Sequence, residues 1–348
     1  MVEEIEANYS FYQKLSAGYD VNILVIGDSI GASSGASSSD YYWYNQLAYW
    51  LEENYMDGTD FDGDIYVNNI SMGGNASYAG YVRTMNLDDD IDYDLAIICY
   101  GQNDSETDFS LYYESIIRAI NSKYPGCNII SILESAQISY MESEDEYTDK
   151  MVAIQDICEH YNIPVVDTIA AFYKSGYDYS DLTDDDVHPN DTGYEIYLEA
   201  IEAVIEEQVE ADTGKPEEVS AYSDGVEVFD NFIYYGVDDE ETETDDNTDE
   251  DVEEAITFTR TDDYTFTLTV SQSGILGIDY TYESGENTAE IYIDGELYTS
   301  PTVTFDYDFS QRHILIVSSD ITVESEITIV FGSSEQADGF YGMCFSWE

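Results

Sequence analysis

The run VNILVIGDSIG, residues 21–31, decides how this chain is read. Residues 21–26 are apolar apart from Asn22, and a short apolar run closed by a turn signal predicts a buried strand. Gly27 ends it. Ser29 then stands between Gly27 and Gly31, on a tight turn at the carboxyl end of the strand. A nucleophile placed there is exposed, and a helix starting after it aims N–H groups at developing negative charge. Gly-Asp-Ser after a strand also occurs as plain turn chemistry. Its partners must decide.

Working outward, residues 65–68, 95–100 (LAIICY), 128–133 (NIISIL) and 164–166 read as further strands. Residues 41–55, 109–123, 144–161 and 192–209 carry apolar side chains at helical spacing. Apolar strands alternating with amphipathic helices predict a parallel sheet covered on both faces. In such an α/β fold, sites form in crevices outside the carboxyl ends of the strands.

After residue 210 the texture changes. DTGKPEE, 212–218, reads as a linker between a domain at 1–211 and another at 219–348. The second has period two in 265–270, 275–282, 290–294, 302–307, 313–317 and 326–331, with Asp294-Gly295 as a hairpin signal. Short alternating strands without helices predict an all-β sandwich or jelly roll. The acidic run 238–254 reads as a solvated loop.

The charge balance narrows function. Of 348 residues, 9 are Lys or Arg and 76 are Asp or Glu, a formal net charge of -67. Such a surface repels nucleic acid and anionic membranes, and disfavours anionic substrates. Neutral esters suit it better. No apolar run approaches the roughly 20 residues of a membrane span. The first fourteen residues hold several Glu and no basic start, so they do not read as a signal peptide. The four cysteines, Cys99, Cys127, Cys158 and Cys344, form no CxxC and read as buried thiols.

Three histidines could serve as a base. His160 lies in a helical pattern and His313 at the start of a strand, both structural settings. His188 sits in DDDVHPN, 184–190, a loop before the last helix. A loop His beside carboxylates suits a base, because an acid upstream can orient its second ring nitrogen. Two further segments lie at the same sheet edge as Ser29. NISMGG, 69–74, follows the second strand, and GQND, 101–104, follows the third. Each could serve an oxyanion, and each could be a simple turn.

Taken in order, GDS, NxSxGG, GxND and DxxHP resemble the GDSL/SGNH hydrolases, from Val21 to about Val209. The resemblance implies a flavodoxin-like three-layer α/β/α fold. It implies Ser29 as nucleophile, His188 as base and Asp185 as the acid three residues before it, with Asp184 and Asp186 adjacent. The oxyanion hole would be Ser29, Gly74 (or Gly73) and Asn103. No metal or cofactor is needed.

The family's substrates include lipids, small esters and acetylated sugars. The absence of a long apolar lid and the appended β-region favour O-acetyl groups on poly- or oligosaccharide, outside the cell. A general short-chain acylesterase or lipase is one alternative. A surface or assembly protein on an esterase-like scaffold is another.

Overall fold

The computed structural model describes all residues except 1–7, 57–62, 89, 135–147, 238–255, 263, 301, 306–309 and 323–324. The loop expected at 238–254 and the start of the helix expected at 144–161 lie outside the described residues. The chain divides into two units, Met1–Asp224 and Gly225–Glu348.

The first unit holds five parallel strands: β1 (Val21–Gly27), β2 (Ile65–Asn69), β3 (Leu95–Cys99), β4 (Asn128–Leu133) and β5 (Val165–Asp167), in the order β2-β1-β3-β4-β5. That is the flavodoxin-like order, and its chain reversal lies at β1 and β3. β1 is buried almost throughout because both faces are covered. Val21, Ile23 and Val25 point into a core with α1 (Phe11–Ala17), α2 (Trp43–Leu51), α6 (Thr168–Ser175) and α7 (Asp191–Glu210). Leu24 and Ile26 are buried on the opposite face. The other helices are α3 (Ser77–Met85), α4 (Phe109–Lys123) and α5 (Asp149–Tyr161). In α4 the buried Phe109, Tyr113, Ile116, Ile117 and Ile120 form one stripe at helical spacing.

The stretch expected as a linker is fastened to this unit. Ser10 Oγ donates to Thr213 O at 2.5 Å, and Asn128 Nδ2 to Gly214 O at 3.2 Å. Farther on, buried Glu114 accepts the amides of Tyr222 at 2.6 Å and Ser223 at 2.7 Å. These bonds carry the division from 212–218 to residue 224.

The second unit is antiparallel. One sheet runs β11 (Glu296–Thr299), β10 (Gly285–Ile293), β14 (Ser325–Phe331), β8 (Thr265–Val270), β7 (Ile256–Asp262), with β12 (Thr302–Phe305) on β10. The other runs β13 (Gln311–Ile321), β9 (Gly274–Tyr282), β15 (Phe340–Trp347), β6 (Asn231–Gly236). Alternate residues of both, among them Leu268, Leu276, Ile278, Ile329 and Phe345, form one apolar core. Asp294 and Gly295 have φ of 53° and 76°, the positive pair that a two-residue hairpin requires.

Candidate active site

Ser29 is two residues beyond the carboxyl end of β1, on a helical turn closed by Ala32 N to Asp28 O and Ser34 N to Ser29 O. His188 precedes α7, whose N-cap is Asn190, with its side chain accepting the Gly193 amide at 3.1 Å. Asn190 also ties the loop back through its own N–H to Leu182 O at 2.8 Å. The two segments are stitched together. Tyr194 of α7 donates its hydroxyl to Ser34 O at 2.7 Å, and Asp191 accepts both N–H and Oγ–H of Ser37. Gly35, at φ +96°, lies against the His188 ring-bearing carbon, where an added Cβ would come within 2.9 Å. A larger residue at 35 would push His188 away.

The stitching leaves His188 Nε2 2.9 Å from Ser29 Oγ and His188 Nδ1 2.6 Å from Asp185 Oδ2. Asp185 Oδ1 accepts the amides of Val187 at 3.0 Å and His188 at 2.7 Å. Partial burial pushes the Asp185 carboxyl up, but the ring and amide of His188 and the Val187 amide outweigh it, leaving the carboxyl below its ordinary range. Of its two neighbours, Asp184 lies 3.5 Å from Asn190 Nδ2, and Asp186 takes a left-handed backbone, φ 66°. The aspartate three residues before His188 is therefore the one against its ring. The other histidines are elsewhere: His160 bonds Ser220 O, and His313 lies in β13 beside Tyr282.

The two segments expected to serve an oxyanion flank the β1 end. Met72 N donates to Gly27 O at 2.8 Å, placing the 69–74 loop beside the serine turn, and Gly74 has φ 71°. Neither the Ser29 nor the Gly74 amide has a hydrogen-bond acceptor among the described residues. Asn103 is exposed, and its Nδ2 donates to Asp28 Oδ2 at 2.9 Å and Asn75 O at 3.1 Å. An amide nitrogen carries two hydrogens, so both are engaged in the free protein.

Two cations fasten these loops. Arg83 of α3 donates from Nε to Ile70 O at 2.7 Å. Lys150 of α5 donates to Gly101 O at 2.5 Å and Asp104 O at 2.6 Å, bracketing Asn103. Sequence reading singled out neither, nor Tyr194, nor the buried Asp28 and Glu134. For Arg83 and Lys150 the signal is scarcity: with nine cations in 348 residues, each one's place carries weight.

The model of the GDSL-like lipase/acylhydrolase family matches residues 25–196. That part of the chain belongs to this family. The GDSL-like domain is accordingly a carboxylic ester hydrolase. No curated protein sequence matches the chain. Among solved structures, a two-domain esterase active on acetylated mannans, co-crystallized with mannopentaose, has a TM-score of 0.72 at 17% identity, covering 100% of this chain and 95% of that one. A second structure of a two-domain esterase active on acetylated mannans gives 0.71 at 18%, with the same coverage. An acetylxylan esterase from Geobacillus stearothermophilus gives 0.44 at 21%, over 55% of this chain and 96% of its own. At such identities the two-domain match shows the fold: a GDSL-like α/β domain followed by a β-sandwich unit. No helix among the described residues is long and apolar enough to cross a membrane.

Proposed function

We propose that the GDSL-like domain removes O-acetyl groups from poly- or oligosaccharide by two-step acyl transfer through Ser29, His188 and Asp185. The observation that carries the mechanism is the unbroken chain from Ser29 Oγ to His188 Nε2, and from His188 Nδ1 to Asp185, at 2.9 and 2.6 Å. Ser29 Oγ attacks the ester carbonyl while His188 takes its proton. Asp185 accepts from the other ring nitrogen, which fixes the tautomer and favours the imidazolium that forms. The oxyanion receives the free amides of Ser29 and Gly74. Asn103 exchanges its Asn75 carbonyl for the oxyanion and keeps its bond to Asp28, which aims it. His188 then protonates the departing sugar hydroxyl, and water repeats the cycle to release acetate. No step calls for a metal or cofactor.

The acetyl-sugar substrate is supported by charge and by likeness. A net charge of -67 suits a neutral acetylated glycan better than an anionic ester. The two-domain esterase of the same fold acts on acetylated mannans. Such polymers place the enzyme outside the cell. The experiment is acetate release from acetylated mannan oligosaccharides beside hydrolysis of p-nitrophenyl acetate, butyrate and octanoate. Release from the sugar with a steep fall along the ester series is expected. Turnover that rises toward octanoate and no release from the sugar would make the domain a lipase.

A further inference from the structure

The edge of the α/β sheet away from Ser29 holds a cavity that the acyl-transfer steps do not use. It lies within the Met1–Asp224 unit, among the last residues of α4, α5 and α7, the starts of β4 and β5, and the strap 213–217. Its volume is about 360 Å³, inside the roughly 300–1,000 Å³ range of small-molecule sites. Strand register sets its distance from the nucleophile. Asn128, on its wall, pairs with Leu95, and Leu95 pairs with Ile23 of β1. Ser29 is six residues beyond Ile23, roughly 20 Å along the strand direction at about 3.3 Å per residue. A sugar ring held in the cavity is therefore clear of the reacting atoms.

Polar groups without protein partners stand in its wall. Tyr12 is 1% exposed, and its hydroxyl has no hydrogen-bond partner among the described residues. Native folds pair nearly all buried polar atoms, with protein, water or ligand. The side-chain amides of Asn121 and Asn162 make no hydrogen bond among the described residues. Gln208 uses only its Oε1, which accepts the Thr213 hydroxyl at 2.9 Å, and leaves Nε2 free. We propose that this cavity is a second carbohydrate site, holding a neutral sugar ring through the Tyr12 hydroxyl and the amides of Asn121, Asn162 and Gln208.

The chemistry of the wall selects the ligand class. A phenol both donates and accepts, and so does a carboxamide, which matches the hydroxyls of a sugar. Ile163, Pro164 and Pro216 add apolar surface for the C–H face of a ring. The charged residues of the wall are Lys215 and Glu217, one of each sign, so no net charge there selects an ion. The chain as a whole, at -67, repels an anionic ligand. An apolar ligand would leave the Tyr12 hydroxyl unpaired. The wall holds no Ser, Cys or His, so the site binds and does not hydrolyse. The choice of sugar as ligand rests on the acetylated-glycan substrate proposed above. One ring of a polymer held here raises the local concentration of its acetylated rings.

The test is hydrogen–deuterium exchange of the full chain titrated with mannopentaose and, separately, with xylopentaose. Protection of residues 158–164 and 208–217 by at least one of them is expected. Two variants are compared with wild type: Tyr12→Phe, and Asn121→Ala combined with Asn162→Gly. Glycine at 162 keeps the left-handed backbone, φ 54°, while removing the amide. Each variant is expected to need about tenfold more sugar for the same protection, the scale of one or two lost hydrogen bonds. Turnover of p-nitrophenyl acetate should stay within about twofold of wild type in both, because the changes lie far from Ser29. On acetylated mannan, KM should rise about tenfold with kcat unchanged, the mark of lost ground-state binding. Without sugar, Tyr12→Phe should melt no lower than wild type, since it removes an unpaired hydroxyl.

Protection confined to other segments, or no protection by either sugar, overturns the proposal. So does equal protection in wild type and Tyr12→Phe, and a lower melting point in that variant would then assign the hydroxyl to a buried water. Should the double variant not fold, Tyr12→Phe decides alone. The two readings fail separately. A chain that deacetylates no glycan yet is protected at 208–217 keeps this site and loses the substrate reading. A chain that releases acetate from mannan without that protection loses this site alone.

Discussion

The two units treat a buried carboxylate in opposite ways. In the β-sandwich, Asp279 is 1% exposed and fully met: Arg312 donates from Nε at 2.7 Å and Nη2 at 2.5 Å, and the Tyr234 hydroxyl adds a third bond at 3.0 Å. Arg312 in turn lies 3.8 Å over the Tyr341 ring. In the α/β unit, Asp28 and Glu134 are as deeply buried, yet their partners are neutral donors: the Ile30 amide and Asn103 Nδ2 on Asp28, the Gln102 amide and the Cys99 thiol on Glu134. A buried charge with a bidentate partner holds two strands together. A buried acid pair without one raises the free energy of folding, and persists where it positions something. Here it lies behind the serine turn and grips the Asn103 loop.

The largest effect expected from breaking this contrast comes at the nucleophile. Ser29→Ala should lower kcat for p-nitrophenyl acetate by at least about 10⁴-fold, as loss of the attacking group does in serine hydrolases generally. Its fold, followed by circular dichroism, should be unchanged.

Next comes Asn103→Ala, with an expected loss of about 10²–10³-fold in kcat for one oxyanion donor. KM should move little, because the bond is made in the transition state. A KM effect with kcat intact would make Asn103 a binding residue.

In the other unit, Arg312→Met leaves Asp279 buried and unpaired. That should destabilise the sandwich by about 3 kcal/mol and lower its calorimetric transition, while the α/β transition stays in place. A sandwich that melts as before would mean that Asp279 escapes by taking up a proton.

The smallest effect is expected at Lys150. Lys150→Met removes a charged donor from Gly101 O and Asp104 O, and should lower kcat about tenfold, the worth of one charged hydrogen bond. Lys150→Arg should recover most of the loss. Equal impairment in both would point to the helix surface around residue 150 and away from the loop.

What could be read without coordinates follows the same division. β1, β3 and β4 are apolar runs with strand length, and α4 a clean stripe, so their limits agree with the pattern to within a residue or two. α3 escaped notice because SYAGYVRTM has no aliphatic stripe. It buries Tyr78, Tyr81 and Val82, and Gly80 lets Tyr100 and Ile116 approach. α6 is short, and only its Asp167 cap, accepting the Ala170 amide at 2.9 Å, marks its start. That Ser29, His188 and Asp185 lie together is legible in part: a strand end places Ser29, a loop before the last helix places His188, and the family resemblance selects Asp185 among three adjacent acids. Glu134 was not legible, since a lone acid after a strand looks like any solvated residue in a chain with 76 of them. Its meaning arises only when β1, β3 and β4 set it beside Asp28 and Cys99. Lys150 was hidden likewise, being one helix away from the loop it holds.

The central claim is that Ser29 carries the acyl group, and the intact mass of chain quenched early in turnover of p-nitrophenyl acetate tests it most directly. One acetyl group per chain, mapped by peptide mass to Ser29 and absent from Ser29→Ala, is the predicted result. Undiminished turnover with no acetylated chain, or acetyl on another residue, would contradict it.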